Sequence, residues 1–193
     1  IYLDSIEDNS MYHMRSIVNL DEGAKCNIIE RTIKSNNKNK LFFSSKVTNV
    51  NLSKNSSLSL MRLIEGNLDN THINNLYAEL DEDATLNNSS FVFSKGESRE
   101  EIRVRMQGQG SNANIDGLIL GSKKSKNEIL TKVSHLNKNC KSNQNIRIVL
   151  DDESRGAFQG KIRVDKGANK TMANMSGKSL LLDKLARVYT KPE

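Results

Sequence analysis

Apolar and polar residues alternate in short runs along most of the chain. The runs CNIIERTI (26–33), LFFSSKVTNV (41–50), SLSLMRLI (57–64), HINNLYAEL (72–80), TLNNSSFVF (85–93) and EIRVRM (101–106) are of strand length and bounded by turn-forming residues. The same grammar continues in NIDGLIL (114–120), EILTKVSHL (128–136), NIRIVL (145–150) and FQGKIRV (158–164). This pattern predicts a nearly all-β chain. SGKSLLLDKLARVYT (176–190) has a helical alternative, although its triple Leu equally suits a buried strand.

The spacing of small residues carries more information than the strands. Ala24, Ser56, Ala84 and Ala113 each open a strand after an acidic, Gly or Asn turn, at intervals of 32, 28 and 29 residues with a further strand between them. Toward the end Cys140, Ser154 and Ala168 follow one another at steps of 14. One strand and one turn per fixed step is the signature of a stacked repeat, with small residues at the corners. The architecture expected is a parallel β-helix, in which each coil hydrogen-bonds to the next at about 4.8 Å. A hairpin sandwich is the rival, but its strands recur every 8–12 residues and its tight turns favour Asn-Gly or Asp-Gly. The only Asp-Gly here, at Gly117, falls inside a strand-like run.

The 193 residues suffice for a single domain, 1–193, with a real core. The first residue is Ile1 and the last four read TKPE, so a piece of a longer chain is expected. No run approaches the roughly 18 apolar residues of a membrane helix, so membrane insertion is not expected. Cys26 and Cys140 lie far apart with no CxxC, which points to a reducing compartment and a cytoplasmic location. A net charge of +6 raises the question of nucleic acid. Lys34, Lys38, Lys40, Lys123, Lys124 and Lys126 sit among Ser and Asn in turn-like stretches, however, and no motif places an element in a groove, so no nucleic-acid partner is expected.

Candidate chemistry is sparse. In VSHLNKNCKSNQ (133–144), His135 and Cys140 are the weak candidates for a base and nucleophile or for two metal ligands, but a turn separates them and a structural role is the expectation. Zinc needs three or four ligands, and His13, His72, His135 and the two cysteines are dispersed. No catalytic, cofactor-binding or metal residue is therefore assigned. QGQGSNANIDG (107–117) has the glycines of a phosphate loop without the GKS or GKT and the helix that should follow, and reads as a turn. The acidic stretches at 81–83 and 151–152 could serve hydrolysis or calcium, but stand where solvated turns are expected.

Taken in order, His135 to Gln144, FQGKIRV (158–164), ANKTMAN (168–174), SLLLDKLARV (179–188) and TKPE (190–193) resemble the SufB/SufD family of iron–sulfur cluster assembly proteins, and its SufD branch more closely. CNIIERT and the run from Glu97 to Leu120 extend the resemblance upstream more weakly. It implies a right-handed parallel β-helix, flanking helical segments beyond these residues, and a non-catalytic scaffold. It also implies pairing with a SufB-like subunit and a SufC-like ATPase, the iron–sulfur cluster belonging to the assembled complex rather than to this chain alone. The residues by themselves leave two other functions open, a β-helical carbohydrate-active enzyme and a polymerising structural solenoid. The absence of Trp and the presence of only four Tyr disfavour the former.

Overall fold

The computed structural model describes residues 10–32, 42–66 and 70–193. Ile1, Lys34, Lys38 and Lys40, with the outer ends of the runs 26–33 and 41–50, lie outside the described residues. Every regular element among the described residues is a strand: β1 (Ser10–Leu20), β2 (Lys25–Thr32), β3 (Phe42–Leu52), β4 (Ser57–Gly66), β5 (Asn70–Leu80), β6 (Thr85–Ser94), β7 (Glu97–Met106), β8 (Asn112–Gly121), β9 (Lys126–His135), β10 (Lys141–Leu150), β11 (Arg155–Val164), β12 (Met172–Leu181) and β13 (Arg187–Pro192). Odd strands form one parallel sheet in the order β1-β3-β5-β7-β9-β11-β13, and even strands form the other, β12-β10-β8-β6-β4-β2. The chain therefore crosses between two sheets with every strand, and two strands complete one coil. Glu97 pairs with Lys126 and Lys126 with Arg155, a climb of 29 residues per coil. The result is a β-solenoid of about six turns, the parallel β-helix expected from the spacing.

The corners explain the small residues. At each odd-to-even corner the penultimate turn residue has positive φ: Gly23 (70°), Asn55 (58°), Asp83 (53°), Gly110 (74°), Asn139 (60°) and Lys170 (58°). A small residue follows each, giving the stack Ala24, Ser56, Ala84, Ser111, Cys140 and Thr171 just ahead of the paired positions Lys25, Ser57, Thr85, Asn112, Lys141 and Met172. Three of these side chains repeat one bond, Ser56 Oγ to Ser53 O (2.7 Å), Ser111 Oγ to Gly108 O (3.0 Å) and Thr171 Oγ1 to Ala168 O (2.9 Å). The described return corners at 122–125 and 151–154 instead carry positive φ at their second residue, Lys123 and Asp152, and end in Ser125 and Ser154, while that at 182–186 ends in Ala186.

Several expectations need correcting. Ala113 is not a corner residue: it lies inside β8, points inward and pairs with Leu86 and Ser142, and Ser111 holds the corner. The 14-residue step from Cys140 to Ser154 spans half a coil, because the two belong to opposite corners. Ala168 closes a tight turn with Asp165 (3.1 Å), and Thr171 is the register mate of Cys140. The run 176–190 is neither a helix nor one strand but β12, a corner and β13. Its Leu180, Leu181 and Leu182 are exposed rather than buried, since β12 is the outermost strand of its sheet. Lys126 opens β9 instead of sitting in a turn. The strand β1, which the reading of apolar runs passes over, alternates exposed and half-buried residues along its length.

Side chains of one parity point inward. The row Val18, Val50, Ala78, Val104 and Val133 of the odd sheet packs with Leu58, Leu60, Leu86 and Ile115 of the even sheet. Further along, Ile64, Ile119, Ile129, Ile146 and Phe158 continue the core. Each fully buried Val, Leu, Ile or Phe among these contributes about 1.5–3 kcal/mol on burial. The alternation that signals strands and the packing that stabilises them are thus one pattern.

The left-handed corner conformation costs a non-glycine residue about 1–2 kcal/mol, and more with a branched β-carbon. Asn55 occupies the position that Gly23 and Gly110 hold in other coils. Asn55→Gly should leave the urea midpoint equal to or above the parent's, and Asn55→Val should lower stability by roughly 1–2 kcal/mol. Equal midpoints for the two variants would mean that the corner is not under this constraint.

Candidate functional site

His135 ends β9 and Cys140 ends the turn after it, both fully buried. They do not meet. His135 Nε2 lies 2.8 Å from Ser142 Oγ across the interior, and burial holds its pKa below the usual imidazole value. Cys140 takes its place in the corner stack: its sulfur lies 3.2 Å from Asn137 O, 3.4 Å from Gly108 O and 3.4 Å from Ser111 Oγ. The first of these repeats the serine and threonine corner bond with sulfur in place of oxygen. His13 stands on the outer face of β1 beside Phe43, with ring centroids 6.1 Å apart. His72 is buried on β5, its Nδ1 2.7 Å from Ser44 Oγ, and burial pushes its pKa down to about 4. Cys26 is half-buried on β2. Among the described residues no three His, Cys, Asp or Glu side chains converge.

The acidic and glycine-rich candidates serve turns. Asp81 Oδ1 accepts from the Glu82 amide (2.7 Å), Asp151 Oδ1 from Asp152 (2.9 Å), and Asp152 Oδ2 from Lys123 one coil away (2.7 Å). Gly108 sits so close to the preceding coil that a β-carbon would collide with the Glu82 backbone nitrogen.

The strongest electrostatic feature is a buried ion cluster that apolar-run reading passes over. Glu30 and Arg62 are register mates pointing inward from the even sheet, and Lys46, Asn74 and Glu100 are register mates pointing inward from the odd sheet. Lys46 Nζ reaches Glu30 Oε1 at 2.6 Å, and Arg62 Nε reaches Glu30 Oε2 at 3.1 Å. Arg62 Nη1 lies 3.6 Å from Glu100 Oε2, and Asn74 Nδ2 donates to Glu100 Oε1. Two basic side chains thus face two carboxyls, the pairing that burial of charged groups demands. Glu100 is wholly buried, and desolvation raises its carboxyl to about 7 against the opposing pull of Arg62 and the Asn74 hydrogen bond. The signal in the sequence is parity. Arg62 shares its face with Leu58, Leu60 and Ile64, and Glu100 shares its face with Ile102, Val104 and Met106.

Chemically, the interior holds neutral histidines and self-compensated charges, while the two outer faces carry the residues available to other molecules. No helix among the described residues is long and apolar enough to cross a membrane. Residues 3–193 match the family described as "SUF system FeS cluster assembly, SufBD core domain". The chain is 29% identical over 187 residues to the iron-sulfur cluster assembly protein SufD of Escherichia coli (strain K12), an alignment covering 97% of this chain and 44% of that protein. The chain thus spans less than half the length of this curated relative.

Two outcomes follow from the buried groups. Because Ser56 and Ser111 fill the register position of Cys140, Cys140→Ser should change stability by less than about 1 kcal/mol, whereas Cys140→Leu should cost about 1–3 kcal/mol by overpacking, both read from urea denaturation. Glu100, raised to about 7 in the fold from an ordinary 4.5, favours folding as pH falls through that window. His72, lowered from 6.5 to about 4, has the opposite sign and costs stability as pH falls from 6.5 through 4. Glu100→Gln removes only the first effect. The variant's melting temperature should therefore fall more steeply than the parent's between about pH 7.5 and 5. Parallel pH profiles would contradict the assigned ionisation.

Proposed function

This chain belongs to the SufBD core domain family of the SUF system of iron–sulfur cluster assembly, and on that premise we propose that it is the β-helical core of a SufD-like scaffold subunit. In this reading it pairs with a SufB-like subunit and holds a SufC-like ATPase. It hydrolyses nothing itself, and the iron–sulfur cluster is cargo of the complex.

The observation that carries the reading is the division of labour between interior and surface. The described buried groups that could do acid–base or thiol chemistry each contact another interior side chain or turn backbone, as in Glu30–Arg62–Glu100, His135–Ser142 and Cys140 with its carbonyls. The outside consists of two parallel sheets whose side chains repeat in rows at about 4.8 Å, an extended surface suited to docking other proteins. On the outer odd sheet Glu79 is paired with Arg105 (3.4 Å) and Glu128 with Arg99 (3.1 Å), which disfavours an acidic polysaccharide track among the described residues of that face.

Co-expression of the full-length protein with SufB-like and SufC-like partners, followed by size exclusion with light scattering, tests this reading. The expected result is a single complex containing all three chains, with ATPase activity that requires the SufC-like chain. Elution of the protein apart from both partners, or nucleotide hydrolysis by the protein alone, would overturn it.

A further inference from the structure

The outer face of the even sheet is divided lengthwise. Near the odd-to-even corner its rows are polar, and the register mates Asn87, Asn114 and Asn143 form an asparagine ladder, with Asn114 Nδ2 donating to Asn87 Oδ1 at 2.8 Å. Near the return corner the rows turn apolar. Leu63, Phe91 and Leu118 are register mates in one row. Leu120, Val149 and Leu180 are register mates in the next, and Phe93 heads that row one residue beyond the Val92–Ile119 pair. All of these point outward, and Leu120 and Leu180 are 42% and 56% exposed. The strip continues round the last described return corner in the exposed Leu182 and Leu185. Single exposed leucines need no explanation, but a contiguous strip across five successive strands does.

We propose that this strip is a docking site for one amphipathic helix of a partner protein, apolar along the face it presents and acidic toward one end. The dimensions select a helix. From β4 to β12 there are four inter-strand steps of about 4.8 Å, or roughly 19 Å. That length matches about 13 helical residues at 1.5 Å each, and the 5.4 Å helical pitch sets nearly one turn over each coil. Both rows are apolar together on β6 and β8, where their width, about 7 Å between alternate residues of a strand, suits the apolar stripe of a helix some 10 Å across. A second copy packed face to face would need roughly 800 Å² per partner, several times what a strip of this size offers.

Charge fixes the polarity. At the β4 end Arg31 and Glu65 neutralise each other at 3.1 Å. At the far end Arg147 and Lys178 are register mates flanking the apolar row, and Lys178 is exposed. Acidic side chains, or the carbonyl end of the helix, are favoured over β10 and β12. This inference rests on the surface itself and not on the scaffold reading, which could fail while the strip still bound its helix.

The test uses the full-length protein and a fluorescein-labelled 14-residue peptide, with Leu at helical spacing on one face and Glu in its last turn, read by anisotropy. Binding is expected, weakened at least tenfold by Leu120→Asp and by Leu180→Asp and at least threefold by Lys178→Glu. A scrambled peptide and one with Lys in place of Glu should bind correspondingly less. Leu120→Ser, polar but uncharged, keeps the test valid should either Asp variant lose its fold. Equal binding of the scrambled peptide, or binding indifferent to these substitutions, would overturn the proposal. So would a concentration-dependent dimer abolished by Leu120→Asp, which would assign the strip to a second copy. Resistance of a Leu120→Cys thiol to maleimide labelling in the isolated full-length protein would assign the strip to the protein's own chain and overturn the proposal equally.

Discussion

Everything in this fold depends on the return of the chain to the same register after each coil. Parallel strands exchange hydrogen bonds along the solenoid axis, so a coil that came back one residue early would turn its inward side chains outward. The corners enforce the return. Each odd-to-even corner holds a left-handed residue followed by a small one, and the stack from Ala24 to Thr171 keeps that geometry through all six. Cys140 is intelligible in these terms: sulfur fills the slot and makes the bond that serine oxygen makes at Ser56.

Once register is fixed, inward positions become rows, and a row can be polar only if the row across from it compensates. Glu30 and Arg62 face Lys46, Asn74 and Glu100 in this way, at a desolvation cost that the apolar rows beside them offset. Outward rows are free of that demand and diverge in character, from the asparagine ladder to the leucine and phenylalanine strip. The interior specifies how the coils stack, and the exterior differentiates one face from another.

Much of this was readable in the chain, because period-two alternation reports directly which side chains face inward. The strands from β2 to β11, the solenoid and its corners follow from that alternation and from the recurrence of small residues. What escaped has definite causes. Ala113 and Ala168 mimic corner residues because small side chains also fit inward positions and tight turns. Leu180 to Leu182 suggest burial, but hydropathy cannot tell a core leucine from one on an outermost strand. The ion cluster was legible only in part: the parity of Arg62 and Glu100 marks them as inward, but their meeting depends on a register between β4 and β7 that no local signal supplies. His135 and Cys140 lie close in sequence, yet the turn sends one across the interior and the other into the corner.

The corners are also where the coils differ in length. The turns at 21–24, 53–56 and 81–84 have four residues and the turn at 165–171 has seven, yet β12 meets β10 in unbroken register from Lys141–Met172 to Leu150–Leu181. An insertion at a corner is absorbed on the spot and moves no inward side chain. Over evolutionary time such a chain can gain and lose residues at every bend while its strands stay aligned. Descent in this architecture is therefore best traced coil by coil, matching rows and allowing gaps at corners.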